Sequence, residues 1–476
     1  MRDEAVSCGI DFGTTNSSVA LASRDGVEVL VVDEENDTPT LLPSLLYMSR
    51  HGERFVGRAA ANTFIERNVG RRVVLKQVDL NLVIPGYVGA EPDKGESYRP
   101  HIQEEPLVME GVRVSAQVEV NSPGRLFQSL KSVLGDRTLT QTRVFGQPYQ
   151  IEELISFILQ HLREKVEAQS VPVQRVVFGR PVRFSEDEEG DLLAERRLRT
   201  AAKLAGFGDV MFLHEPVAAC VDYAAETAEA MRVMVVDIGG GTCDVSITAF
   251  EPHADVPRRI EHSRILGVHG IPIAGDALDC EIIRGKLFPL FGSRARYGPN
   301  GNLRMPQSLF VVLTNWRNLH KQNTEEFINW LIAAEMSSDQ PERLRALRYV
   351  IQRNLGYPLN RAVERAKKEL SAYDETYIEF VDSVVAVHER ITRGEFEDAV
   401  EHLIDRMRDC VMETEKRAQV SPDEIDLVLT TGGTTLVPAV RRMLCERYGE
   451  ARLRQRDTFT AVAKGLALYA YHQERM

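Results

Sequence analysis

The sequence predicts an α/β protein of two lobes, each a mixed β-sheet flanked by helices and carrying an inserted outer subdomain. Three observations carry that prediction. Residues 7–18, with Asp11, Gly13, Thr14 and Thr15, recur in altered form at residues 234–246, with Asp237, Gly239, Gly240, Gly241 and Thr242. Each copy reads as an apolar strand ending in Asp, a Gly/Thr turn and a returning strand. Strands and amphipathic helices then alternate in both halves, so the halves read as a pseudo-repeat.

The first strand is Val6–Asp11, and Asn16–Ala22 returns after the Gly13-Thr14 turn. Asp25-Gly26 turns the chain into Val27–Val32, making a three-stranded meander. Residues 80–121 are rich in Pro, Gly and Glu and read as an irregular or small β insertion. Leu126–Leu134 is apolar at helical spacing, and Ile151–Gln169 is a long amphipathic helix with Glu152 and Glu153 at its start. A strand at Arg175–Phe178 is halted by Pro181, a helix covers 190–206, and another opens at Glu215–Tyr223.

In the second half a strand near 264–268 leads into a loop at 270–279. Residues 280–370 read as mostly helical, hold both tryptophans and break at a Gly/Pro/Asn-rich stretch, 292–306. Residues 361–371 form a strong helix. The end reads as a strand (Leu427–Thr430), a turn at 432–438, a helix, a short strand and a last helix. Ala461, Ala463, Gly465 and Ala467 of that helix suit close packing in the second lobe. The lobes are placed at 1–232 (core 1–37 and 122–232, insertion 38–121) and 233–476 (core 233–275 and 376–476, insertion 276–375).

With 476 residues the chain has room for two to four domains with large cores. A formal net charge of −12 argues against nucleic acid or an anionic membrane as the main partner. The six cysteines are scattered with no C-x-x-C pair, which suggests free thiols in a reducing compartment. Cys243, inside the second motif, reads as a buried inert thiol. No signal-peptide pattern or membrane-length apolar run occurs, so a cytoplasmic location is expected.

A Gly/Thr hairpin turn is a phosphate cradle, because glycine lets backbone approach closely and successive N–H groups converge on an anion. Two cradles in one chain imply two lobes closing on one polyphosphate.

Six segments then fall in one order: 9–17, 215–219, 237–244, 364–371, 392–397 and 431–438. In that order the chain resembles the nucleotide-binding portion of the seventy-kilodalton heat-shock chaperones, within the actin/hexokinase-like ATPase superfamily. The resemblance implies an actin-like ATPase fold and ATP or ADP with Mg²⁺ as ligands. It implies that Asp11 and Asp237, with Asp244 through water, hold a hydrated magnesium ion. Gly13, Thr14, Thr15, Gly239, Gly240, Gly241 and Thr242 would donate to the β- and γ-phosphates. Lys131 would stabilise charge at the γ-phosphate, and Glu215 would orient the attacking water and couple to Pro181. Glu364, Lys367 and Ser371 would present one helix face to adenosine, with Lys368 beside it. Gly432 and Gly433 would let the backbone pass close to sugar and base.

Leu436 stands where the family usually has an arginine stacked on adenine, which leaves base affinity open. The segments 80–121 and 279–364 are longer than in typical members. No peptide-binding domain follows the last helix in this sequence, so client folding through a bound peptide is not expected of this chain. The expected function is an ATP-binding, slowly ATP-hydrolysing chaperone-like switch acting on a protein partner or co-chaperone. An actin-like filament former, which would sediment with ATP, is an alternative reading. A metabolite kinase, which would consume ATP only with an acceptor, is another.

Overall fold

Two five-membered strand paths with the same central connectivity organise the chain. The computed structural model describes residues 6–86, 109–185, 187–221, 229–252, 258–259, 262–455 and 460–473. The middle of the 80–121 insertion, at 87–108, lies outside the described residues, as do the end of the helix expected through Tyr223 and the last three residues.

The first sheet begins with β1 (Val6–Phe12), β2 (Asn16–Ser23), β3 (Gly26–Val29) and the two-residue β4 (Leu42–Pro43). The first insertion follows: β5 (Leu45–Ser49), β6 (Arg54–Val56), α1 (Gly57–Asn68), a long hairpin of β7 (Leu75–Gly86) and β8 (Met109–Glu119), and β9 (Gly124–Gln128). A small hairpin of β10 (Gln141–Val144) and β11 (Gln147–Gln150) then leads into α2 (Ile151–Glu167). The sequence supports α2 twice: Glu153 accepts from the Gln150 backbone N–H at 2.7 Å, and its apolar stripe is buried. The half closes with β12 (Val173–Arg180), α3 (Glu188–Leu204), β13 (Val210–His214) and α4 (Glu215–Ala219). The sheet order is β13-β12-β1-β2-β3, with β12 parallel and β2 antiparallel to β1.

The second half repeats this plan. β14 (Met231–Ile238), β15 (Cys243–Phe250) and β16 (Arg264–Ile271) form the meander. The second insertion carries α5 (Gly275–Ile282), the short α6 (Trp316–Leu319), α7 (Glu325–Met336), α8 (Pro341–Gln352), α9 (Gly356–Glu369) and a hairpin of β17 (Glu375–Val381) and β18 (Ala386–Thr392). Then come α10 (Arg393–Ala418), β19 (Leu427–Thr431), α11 (Pro438–Tyr448), β20 (Leu453–Gln455) and α12 (Ala461–His472). The sheet order is β16-β15-β14-β19-β20, with β19 parallel and β15 antiparallel to β14. The motif at 392–397 is explained locally. Thr392 accepts from the Glu395 N–H at 3.2 Å and Glu395 accepts from the Thr392 N–H at 2.9 Å, a capping box that starts α10.

Three local expectations are corrected. Leu126–Leu134 is not a helix: its first part pairs with β5 as strand β9, Ser129 turns left-handed at φ 52°, and Leu130–Val133 is a single 3₁₀ turn. Cross-strand pairing outweighs the helical spacing there. Helix α9 ends at Glu369, so Ser371 follows it in a turn and does not share its face. The last helix does not pack in the second lobe. Its strongest packing is against β1, β2, β12 and α4 of the first. Backbone proximity requires this: a methyl at Gly9 would overlap the Ala467 backbone, and one at Gly465 would overlap the Ala218 carbonyl. The small residues do permit close packing, but against the first lobe.

The two insertions meet over the cleft. Phe64 of α1 lies edge-on to Trp316 and to His320, with ring centroids 6.2 and 5.2 Å apart. Asn323 donates from Nδ2 to the Arg71 carbonyl at 2.8 Å and accepts on its own carbonyl from the Val73 N–H at 2.9 Å. Arg361 of α9 pairs with Asp37, in the loop before β4.

Candidate nucleotide cleft

Strand pairing fixes where the acidic groups lie. Asp11 is near the end of β1, and Asp237, near the end of β14, pairs in register with Asp244 of β15 and Thr431 of β19. The turns that follow face each other. A methyl at Gly240 would lie 3.7 Å from Thr15 Cγ2, and one at Gly241 would lie 3.9 Å from Thr15 Oγ1. Gly239 has open space where a side chain would be.

Each turn is braced from behind. Ser44 donates from Oγ to the Gly13 carbonyl at 2.8 Å, and its N–H donates to the Thr15 carbonyl at 2.8 Å. In the second lobe Thr434 Oγ1 donates to the Gly239 carbonyl at 2.7 Å, and the Asp276 N–H donates to the Gly240 carbonyl at 2.7 Å. These bonds to the carbonyls fix the turns in place, and within the second the Gly239 N–H donates to the Thr242 carbonyl at 3.1 Å.

Below the turns Lys131 donates from Nζ to Glu215 Oε1 at 2.6 Å. Lys131 rides the 3₁₀ turn after β9, and Glu215 opens α4. Arg180 pairs with His214 in parallel register, so Pro181 and Glu215 are the residues that follow the ends of two adjacent strands. Burial pushes the Asp11 carboxyl up to about 7, with Glu215 and Asp237 adding repulsion and Lys131 opposing it. Burial likewise raises Asp237 to about 6, against a hydrogen bond from Thr431 and with Asp244 and Glu215 adding to the rise. Asp244 is also raised by burial, against a hydrogen bond from Thr242. Burial disfavours the Lys131 ammonium, yet Glu215 and Asp11 hold it above the usual lysine range.

Four carboxylates around one ammonium leave this floor short of positive charge. An all-oxygen donor set suits a hard cation such as Mg²⁺. Among the described residues no three His, Cys, Asp or Glu side chains could hold an ion together. A metal at Asp11, Asp237 and Asp244 would therefore be held in part through water or phosphate oxygens. The free Cys243 thiol, hydrogen-bonded to the Cys410 thiol and buried, is held well above the usual thiol range, which makes it a poor nucleophile.

On the other side of the second turn, Lys367 donates to Asp279 Oδ2 at 2.8 Å and to the Gly275 carbonyl at 3.0 Å. Asp279 is wholly buried, which raises it to about 7 despite that lysine. Glu364 accepts from Asn360 at 3.0 Å and from Arg361 at 2.8 Å. Lys368 is exposed and Leu436 is 41% exposed. Gly432, at φ 80°, packs so closely on the Ile238 carbonyl that no side chain fits, and Gly433 begins a 3₁₀ turn. Sequence reasoning passed over Asp276, Asp279, Thr431, Thr434 and Ser44. Gly275-Asp276 at a helix start was the one available signal.

Among the described residues no helix is long and apolar enough to cross a membrane. A family model described as Hsp70 protein matches residues 7–75, 114–253 and 333–472. The Chaperone protein DnaK of Thermus thermophilus is 25% identical over 478 residues, covering 98% of this chain and 60% of that protein. The Chaperone protein DnaK of Trichormus variabilis is 24% identical over 469 residues, covering 97% and 54%. The chain thus spans little more than half the length of these curated relatives.

Proposed function

The chain belongs to the Hsp70 family, and on that premise we propose that its cleft binds ATP with magnesium, hydrolyses it slowly, and switches a protein partner as the lobes close. The observation that carries the reading is the Lys131–Glu215 pair, 2.6 Å apart and set among Asp11, Asp237 and Asp244 beneath two facing turns.

The N–H groups and threonine hydroxyls of the turns would bind phosphate oxygens. Lys131, 8% exposed and held charged, would stabilise negative charge at the terminal phosphate. Glu215 accepts hydrogen bonds and would orient a water through one oxygen while Lys131 holds the other. A bound magnesium ion would neutralise phosphate charge beside Asp11 and Asp237. Arg361–Asp37 and Phe64–Trp316 connect the lobes over the opening, so nucleotide state and lobe closure would be coupled through them.

Calorimetric titration with ATP, with and without magnesium, tests the binding. Steady-state phosphate release without any acceptor tests the hydrolysis and separates it from a kinase. Sedimentation with ATP separates it from a filament former. Failure to bind ATP would overturn the reading.

A further inference from the structure

Arg317 lies on α6, within the stretch 254–332 that separates the second and third segments matched by the family model. Its guanidinium stands over the Trp316 ring, 5.0 Å from the centroid. Asp276 and Glu364 face it, yet burial is the larger influence and holds the guanidinium below the usual arginine range. Its Nε is buried without a hydrogen-bond partner. Glu364 is taken up by Asn360 and Arg361.

The two facing carboxylates locate the guanidinium. Asp276 touches the second turn, since a methyl at Gly240 would lie 2.9 Å from its Oδ1. Glu364 belongs to α9, which packs on α5, Lys367 reaching the Gly275 carbonyl and Asp279. Arg317 therefore sits between the turn that would hold phosphate and the helix that would hold the sugar. Trp316 occupies one face of its plane. What is unused is an in-plane N–H, which the face of a base cannot satisfy and an acceptor oxygen can. Because Arg361 already matches Glu364, Asp276 alone opposes the Arg317 charge, and no excess of negative charge stands against an anion there. Guanidinium geometry matches phosphate oxygens.

We propose that Arg317 is a further ligand-binding residue of the cleft, donating N–H groups to the phosphate oxygens of a nucleoside di- or triphosphate. This rests on the nucleotide reading above.

The test is calorimetric titration of the wild type, Arg317→Gln and Arg317→Lys with ATP, ADP and adenosine. Arg317→Gln should weaken ATP and ADP by roughly tenfold to a hundredfold, the range of one lost charge-assisted hydrogen bond, and change adenosine by less than about twofold. Arg317→Lys, which keeps the charge and loses the fork, should fall between. If the glutamine variant does not fold, the lysine variant decides by the same ratio of ATP to adenosine affinity. Wild-type affinity for ATP in the variants, or an equal loss for adenosine, overturns the proposal while the nucleotide reading stands. A wild type that binds neither ATP nor ADP removes both.

Discussion

Phe64 and Trp316 meet edge-to-face with centroids 6.2 Å apart, although one belongs to the insertion of the first lobe and the other to that of the second. This contact ties the two insertions together. Opening the cleft must break it, so Phe64→Ala should speed nucleotide dissociation by roughly two- to tenfold, the value of one aromatic pair. Stopped-flow release of a fluorescent nucleotide measures it. An unchanged rate would show that the cleft empties without parting the insertions.

Lys131→Ala removes the ammonium that Glu215 holds at 2.6 Å. Nucleotide affinity should change little, because the turns and their N–H groups remain. Turnover should fall by roughly 10²–10³-fold, as for one lost electrostatic donor. Wild-type turnover in the variant would remove Lys131 from the chemistry.

The acidic floor makes stability depend on pH. Folding raises Asp11 from 3.8 to about 7 and Asp237 from 3.8 to about 6. Their neutral forms are thus favoured by the folded state. That contribution is complete below about pH 4 and is lost as pH rises through 6 and 7. Asp11→Asn cannot ionise, so it should gain on the wild type by on the order of 1–3 kcal/mol between pH 5 and pH 8 without ligand. Urea unfolding at the two pH values measures the difference. The same variant should bind Mg-ATP more weakly, which separates the cost of the site from its use.

Leu436 is 41% exposed and leaves room for a longer side chain. If it faces the base, Leu436→Arg should tighten ATP binding by up to about thirtyfold through a stacked cation, worth roughly 0.5–2 kcal/mol. Calorimetry decides it, and unchanged affinity would place Leu436 away from the base.

Gly465→Ala tests the packing of the last helix. Alanine is the better helix former by about 1 kcal/mol. The added methyl would overlap the Ala218 carbonyl, a backbone atom that cannot rotate away. Overpacking of that kind costs roughly 1–3 kcal/mol, so the variant should be net destabilised in chemical unfolding. A gain in stability would mean that α12 stands off α4.

Much of this was legible because it is local. The Asp–turn–strand hairpins, the α10 capping box at Thr392 and the α9 stripe are written within a dozen residues each. Lys131 is expected on a helix but rides a 3₁₀ turn, since the partner that makes Gly124–Gln128 a strand lies near residue 45. Nothing local in the sequence marks Arg317, and only the Gly275-Asp276 helix start marks Asp276, because their surroundings depend on how an insertion folds back. The partner of the Ala/Gly-rich helix was misjudged for a related reason. Small residues announce close approach without saying to what.

The position of α12 has a consequence for the order in which the protein is made. β1 leaves the ribosome before any strand of the second sheet, and the backbone that lies against Gly9 belongs to Ala467, which follows that whole sheet in the chain. Until then one face of the first sheet, with Ala20 and Ala22, lacks its cover of Ala463 and Ala467. The early half must therefore wait, with apolar surface showing, while the later half is synthesised. Such long-range closure slows folding and lengthens exposure to aggregation. Here a member of a chaperone family has a nascent chain that would itself gain from being sheltered.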